Sequence, residues 1–464
     1  MNRKKLLLSG MILSSLLFSQ VAWAADKIEL NLNETIERAL KSEPRIGMAG
    51  GSLESAKGSL RAAQGEAGLG ISFSYKYSRG GVSKPKTVDP SVSNNNGTTV
   101  TAKLPIYSSG VISGNIDRQT GNLRANEYDF DQTLQTVRLD ATNAYYNVLA
   151  ARDLVKLSQA SVERLQAHLQ NAQAQFEVGT VAKVDVLRSQ VELANAQQDL
   201  IKNQNNYDVA VIKLLNIAGL PLDTELTLKE ELSYQNYAQQ LDECLSYAMR
   251  SRPDLYKVAH QVQAAKGGLQ AARGGYGPQV SAFASNDWSG ESFPGSTASK
   301  WTVGLSVNMN VFDSGVTAGK VDQASGSLTS QLENQRQTIL NANLEVRSAY
   351  LGLREAEKRI GTSEIAVSQA EEDYRIAQLR YQSGVGTNVD VLDSQVALTT
   401  AQNNYVNALY SYNTSKAALD SAMGVPTGYE LEHKYDANGK LKLTAVDNKA
   451  AEKPAIEQDP TATE

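Results

Sequence analysis

The chain is one unit written twice, and this duplication constrains its fold more than any single motif. Val184-Asp185-Val186-Leu187 with Ser189-Gln190-Val191 returns 205 residues later as Val389-Asp390-Val391-Leu392 with Ser394-Gln395-Val396. At the same offset, Ile106-Tyr107-Ser108-Ser109-Gly110-Val111 returns as Val311-Phe312-Asp313-Ser314-Gly315-Val316, and Gly219 and Pro221 return as Gly424 and Pro426. Nearer the start of each unit the offset is 209: Leu32-Asn33-Glu34 through Ala39 and Pro44 recurs as Leu241-Asp242-Glu243 through Ala248 and Pro253. The offset of 205 holds from Ile106 to Pro221, so the unit was duplicated without insertion in its central part. The units divide as 25–230 and 231–433.

Each unit carries a long proline-free span, between Pro105 and Pro221 and between Pro294 and Pro426. These spans are rich in Ala, Gln, Leu and Asn and read as helix. Val137, Ala141, Ala144, Val148, Ala151, Val155, Ser158 and Val162 step alternately by four and three, and the seam continues to Phe176. In the second unit Ala342, Val346, Ala349, Leu353, Ala356, Ile360, Ser363 and Val367 repeat it, continuing to Tyr381. A seven-residue seam of this length predicts coiled-coil packing. Gly179 and Gly384 stand where a helix would end. The prediction is a helical hairpin over about 111–218 with its tip at 178–184, and another over about 316–422 with its tip at 383–389. One arm of some 67 residues would reach about 100 Å.

Strand-like sequence precedes each hairpin. Ile71, Phe73, Tyr75 and Tyr77 alternate with Ser72, Ser74, Lys76 and Ser78. Strands are expected at about 70–78 and 98–107, then at about 279–286 and 301–311. Residues 79–98 and 287–300, rich in Gly, Ser, Asn and Pro, read as long loops. Alternation of this kind suits strands with lipid on one face and water on the other, and it also suits the edge of a soluble sandwich. Four strands cannot enclose an aqueous pore, so a barrel would need several copies of the chain. Beyond residue 24 no run of 18 apolar residues occurs, which leaves strands as the means of crossing a membrane.

The first residues read as an export signal. Basic Asn2-Arg3-Lys4-Lys5 precedes an apolar run to Ala22, and Ala22-Trp23-Ala24 ends it with small residues where cleavage is expected. Loss of residues 1–24 would move the formal charge from −5 to −8 by removing three basic residues. An acidic chain of this kind argues against a nucleic-acid partner. The lone Cys244 excludes an intrachain disulfide. His168, His260 and His433 are dispersed, no phosphate-binding loop occurs, and no cofactor, metal or catalytic group is expected. His168, beside the seam, reads as solvent-facing, and Glu371-Glu372-Asp373 as a solvated helix face. The tail over 434–464 reads as disordered.

The tips carry a family likeness. Val178-Gly179-Thr180-Val181-Ala182-Lys183-Val184-Asp185-Val186-Leu187 and Ser383-Gly384-Val385-Gly386-Thr387-Asn388-Val389-Asp390-Val391-Leu392-Asp393, in duplicated strand–strand–hairpin units, resemble the TolC-like outer-membrane efflux proteins over about residues 28–430. The resemblance implies a mixed, mostly α fold. Three chains of four strands each would share a twelve-stranded transmembrane β-barrel, continued by a periplasmic coiled-coil α-barrel. It implies a homotrimer in outer-membrane lipid, an exit channel for small molecules or proteins. The expected partners are a periplasmic adaptor and an energised inner-membrane transporter. The matching constriction and gate positions are Asp390, Asp393, Asp185 and Tyr381, and the adaptor-docking tips are Gly179, Thr180, Val184, Gly384, Gly386 and Val389. One departure stands out: the family arginine two residues after the tip glycine falls on Gly386. Lys183 or Arg188, bridging to Asp390 or Asp393, is the expected substitute latch. Asp185 and Asp390 also suit helix capping, and Tyr381 also suits seam packing. A periplasmic adaptor or structural coiled coil is the competing reading, since adaptors carry helical hairpins too.

Overall fold

The computed structural model describes residues 27–82, 91–291, 298–427, 429–435 and 441–445; the expected signal segment 1–24 lies outside them. In chain order the elements of the first unit are β1 (Lys27–Leu30), α1 (Leu32–Ser42), α2 (Pro44–Gly65), β2 (Gly70–Val82), β3 (Ser91–Tyr107), α3 (Val111–Glu177), α4 (Lys183–Ile217) and β4 (Glu225–Leu228). The second unit gives α5 (Leu241–Ser251), α6 (Pro253–Arg273), β5 (Gln279–Gly290), β6 (Ala298–Asn308), α7 (Val316–Gln382) and α8 (Asn388–Ala422), followed by β7 (Tyr429–Tyr435) and β8 (Leu441–Ala445).

The long arms α3 and α7 are 67 residues each, and the return arms α4 and α8 are 35 each. Equivalent residues in the hairpins therefore lie 205 apart throughout. The heptad seam is the buried one: Val137, Ala141, Val148, Val162, Leu165 and Ala172 on α3, and Ala342, Val346, Leu353, Ala356 and Ile360 on α7. Both long arms start from the same left-handed turn, Ser109-Gly110 and Ser314-Gly315.

The recurring Leu32–Pro44 and Leu241–Pro253 stretches are two short helices each. Asn31 caps α1 reciprocally with Glu34, whose N–H donates to Asn31 Oδ1 at 2.7 Å. Gln240 and Glu243 form the matching box on α5. Pro44 and Pro253 open α2 and α6 at the first helical position, where a missing N–H costs nothing. Midway along the hairpins β1 pairs in parallel with β4, setting Leu30 beside Leu228. These strands cover Tyr145, Val148 and Leu214 and make one of the chain's cores.

The large sheet runs β2-β3-β5-β6, antiparallel throughout. The register places Phe73, Val100, Asn286 and Trp301 in one row, and Ser74, Thr99, Asp287 and Lys300 in the next. Adjacent rows point to opposite faces, so one face is dominated by Ile71, Phe73, Tyr75, Tyr77, Trp301, Val303 and Leu305. These side chains are exposed, Trp301 at 77%. The other face carries Ser, Thr, Lys76, Lys103, Lys300 and Asp287. Both outer strands, β2 and β6, have an open edge within the chain.

Three expectations are corrected. The first strand pair continues well into 79–98, to Val82 and from Ser91, and the second into 287–300. Backbone pairing extends it, helped by side-chain bonds such as Tyr75 Oη donating to Asn96 Oδ1 at 2.9 Å. β6 stops at Asn308 rather than 311, because its partner begins at Gln279. Of the tail read as disordered, Lys434, Tyr435 and Leu441–Ala445 are strand, β8 pairing antiparallel with β7; its other residues lie outside those described.

α6 packs on both long arms, more extensively on α3. A Cβ on Gly267 would stand 2.6 Å from Arg118 N, and one on Gly114 2.5 Å from Ala271 N. Backbone meets backbone there, so relief requires moving a helix. Gly267→Val is expected to destabilise the chain by about 3 kcal/mol or more, read as a fall in the thermal unfolding midpoint.

Candidate functional site at the hairpin tips

Both hairpins reverse through the same turn. Gly179 and Gly384 are left-handed, φ 82° and 76°. Thr180 N–H reaches Gln175 O at 2.9 Å, and Val385 N–H reaches Arg380 O at 3.0 Å, closing each long arm in a Schellman turn. The turns then differ. A Cβ on Gly386 would lie 3.0 Å from Tyr381 N and Arg380 Cβ. Its N–H also donates to Arg380 O at 3.0 Å. The loop lies so flat on its own helix that a side chain at this position is crowded, which accounts physically for glycine where the resemblance calls for arginine.

Asp390 caps its own helix. Its carboxylate accepts from Thr387 N at 3.0 Å while Thr387 Oγ1 accepts from Asp390 N at 3.2 Å. The Thr387 N–H, with its hydroxyl, holds this exposed carboxyl below the usual range. Asp185 holds the same third position of α4, but Ala182 offers no side-chain cap there. Asp393 is exposed one turn into α8. Tyr381 is 4% exposed, inside a core with Tyr374, Val391 and Leu398. Its hydroxyl has no partner among the described residues, and burial, followed by the Asp185 charge, raises its pKa.

The group that joins the two hairpins is one that sequence reasoning placed in solvent. His168 is 3% exposed, and its Nε2 lies 2.6 Å from Asn388 Oδ1. Asn388 is equally buried. Its Oδ1 also accepts from Ser189 Oγ at 3.2 Å, and its Nδ2 donates to the backbone carbonyl of Asp185 at 3.1 Å. Because Oδ1 is the acceptor in this set, His168 donates through Nε2. The Tyr381 ring stands tilted against the imidazole, ring centres 5.1 Å apart. One turn higher, Arg164 Nε donates to Gln395 Oε1 at 3.0 Å, and Gln395 Nε2 to Ser161 Oγ at 3.3 Å. Ser161, Arg164 and His168, spaced three and four apart, form a second stripe beside the heptad seam. That spacing was the available signal: a helix with two neighbours buries two stripes.

Val184, Leu187 and Val191 of α4 face Val389, Leu392 and Val396 of α8 across an open groove that Arg188 and Asp393 also line. Among the described residues no ion pair joins Lys183 or Arg188 to Asp390 or Asp393 within the chain. No cluster of three or more His, Cys, Asp or Glu suited to a metal is present among them either, and no helix among the described residues is long and apolar enough to cross a membrane.

A family profile described as outer membrane efflux protein matches residues 35–220 and 244–425, one match per unit. The chain belongs to that family. It is therefore an outer-membrane channel protein of export, and the adaptor reading gives way. Outer membrane protein TolC of Escherichia coli (strain K12) is 25% identical over 474 residues, covering 97% of this chain and 92% of that protein. Alkaline protease secretion protein AprF of Pseudomonas aeruginosa is 25% identical over 348 residues, covering 72% and 69% respectively. The outer-membrane channel OprN shares the fold with a TM-score of 0.76 at 19% identity, over 85% of this chain and 89% of that one.

In this efflux protein the His168 clasp titrates. Burial lowers the imidazole pKa, and the Asn388 bond opposes that only in part. The neutral form is favoured while the hairpins are joined; a solvated imidazole takes its proton near pH 6.5. The parted state therefore binds more protons, so the clasp is intact above about pH 6.5 and weakens as pH falls through and below it. Protection of the tip amides, exchange being taken relative to the intrinsic rate at each pH, is expected to fall on acidification to pH 5, and His168→Gln, which can still donate to Asn388, is expected to abolish that fall.

Proposed function

We propose that three copies of this chain close into one exit duct, a twelve-stranded barrel in the outer membrane continued by a barrel of hairpins, whose tips dock on a periplasmic adaptor serving an energised inner-membrane transporter. One observation carries the reading: an interface made once in each chain where the duplication calls for two. The second strand of unit one pairs with the first strand of unit two, β3 with β5. The same step from unit two leads from β6 to a β2, and the β2 of the same chain lies at the opposite edge of the sheet. The β2 of the next copy supplies the partner. Carrying the Val100–Asn286 and Ala102–Ala284 register over by the repeat offsets sets Leu305 opposite Tyr77 and Val307 opposite Tyr75 of that copy, apolar face continuing into apolar face.

The helices support the same step. Gly319 and Gly326 on α7 are the equivalents of Gly114 and Gly121, and Gly58 on α2 is the equivalent of Gly267. A Cβ on any of the three would meet nothing within 4 Å among the described residues. Around Gly58 the exposed Gly51, Ser55 and Ala62 continue a surface of small residues, which fits the next copy's α7 as α6 fits α3. Two copies would give eight strands with an interior filled by side chains, and three give twelve with room for water.

In a three-fold ring, Asp390 and Asp393 each become a set of three carboxylates around the axis, an arrangement that binds and selects cations. Asp185, at the third position of α4, and Tyr381, packed against α8, stand at the matching gate positions beside them. Arg188 facing Asp393 across the tip groove is the candidate for a basic–acidic latch. Gly179, Thr180, Val184, Gly384, Gly386 and Val389 form the surface offered to the adaptor.

Protein extracted from the outer membrane in mild detergent is expected to have the mass of three chains, and a single-chain mass would overturn the duct. Gly58→Val makes the same chemical change as Gly267→Val, yet is expected to leave the single chain folded and to prevent assembly. Asp390→Asn with Asp393→Asn is expected to lower the cation preference of the assembled channel in planar bilayers several-fold.

A further inference from the structure

The clasp between hairpins, α3 against α8, also has an equivalent that the single chain does not make: α7 against the α4 of the next copy. The hairpins match residue for residue, so the contacts can be carried over with no choice of register. His168 maps to Asp373 and Asn388 to Lys183. Arg164 maps to Gln369 and Gln395 to Gln190, while Ser161 and Thr399 map to Ala366 and Ala194. Each mapped pair is complementary: an acid with a base, an amide with an amide, a methyl with a methyl. His168, Asn388, Ser161 and Gln395 are buried, whereas Asp373, Lys183, Gln369, Gln190, Ala366 and Ala194 are all exposed within the chain.

Neither charged residue has a local explanation. Lys183 is the first residue of α4, where a cation opposes the helix dipole and Ala182 offers no side-chain cap. Of the acidic run, Glu372 is held by Arg375 at 2.6 Å and Glu371 accepts from Gln402 at 3.5 Å. Asp373 has neither ion pair nor side-chain hydrogen bond among the described residues.

We propose that Lys183 of one copy pairs with Asp373 of the next, with Gln190 against Gln369 beside it, so that an ion pair latches the tips between chains where His168 and Asn388 join them within each chain. The proposal rests on the ring assembly above, and it assigns Lys183 a partner that the expected bridge to Asp390 or Asp393 does not contain.

Charge exchange tests it. Lys183→Glu and Asp373→Lys, each alone, set like charges face to face and are expected to raise the resting conductance of the purified channel in planar bilayers several-fold. The double variant Lys183→Glu with Asp373→Lys restores the attraction and is expected to return conductance to the parent value. Single variants that conduct like the parent, or a double variant as leaky as the two singles combined, overturn the latch. As an independent measure, Lys183→Cys with Asp373→Cys is expected to be joined between chains by a short bis-maleimide, Cys244 being buried away from the reagent. The mass of the detergent-solubilised protein separates the two levels of the argument. Three chains with no cross-link refute the latch and leave the ring standing, whereas a single chain refutes both.

Discussion

A strand in a bilayer has no water to bond its free N–H and C=O groups, so a sheet placed there can leave no edge open. This chain makes a sheet of four strands with two open edges and one apolar face. Its remaining architecture is consistent with meeting that constraint by repetition. Each unit supplies two strands and one hairpin, and the contact that joins unit one to unit two is of a kind that can be made again from unit two to another unit one. The glycines record the same logic in the helices. Gly114 and Gly267 are needed inside the chain because two backbones touch there, while their equivalents Gly319 and Gly58 face open space.

Much of this was legible in the sequence because it rests on local periodicity. The seven-residue seam marks both hairpins, and the tip glycines mark their ends. The four alternating segments mark the inner part of the strands. Less legible features depend on partners far away in the chain. β1 is four residues long and is a strand only because Glu225–Leu228 lies beside it. The outer parts of β2 and β3 are Ser, Asn and Gly, residues that read as loop until the opposing backbone is in place. Gly386 shows the converse case. The family comparison flagged it as a departure, and only the 3.0 Å approach to Tyr381 N explains why no side chain stands there.

The capping question was decided by which residue precedes the helix. Thr387 can bond back to Asp390 and Ala182 cannot do so for Asp185, so two aspartates in matching motifs are held differently. His168 was misplaced for a related reason. The seam describes how α3 meets α4, and His168 lies on the stripe that meets α8, which a two-helix pattern does not include.

The two kinds of helix contact at the tips differ in chemistry, and this bears on which of them can part. Within the second hairpin the contact is apolar, made by Tyr374, Tyr381, Val391 and Leu398. Separating it would expose carbon to water and is opposed by about 25 cal/mol for each Å² uncovered. Between the hairpins a ladder of hydrogen bonds through His168, Asn388, Arg164, Gln395 and Ser161 runs beside a smaller apolar contact, Leu392 on Val162, Leu165 and Ala196. The hydrogen-bonding groups exchange a protein partner for water at a net cost of about 1 kcal/mol each. The junction between hairpins is thus the more polar of the two contacts and the one expected to part first. The junction within the chain contains a neutral imidazole, so it responds to pH. The proposed junction between chains contains an exposed ion pair, so it responds to ionic strength instead. Duplication followed by divergence at equivalent positions would thus give one ring two seams with separate sensitivities.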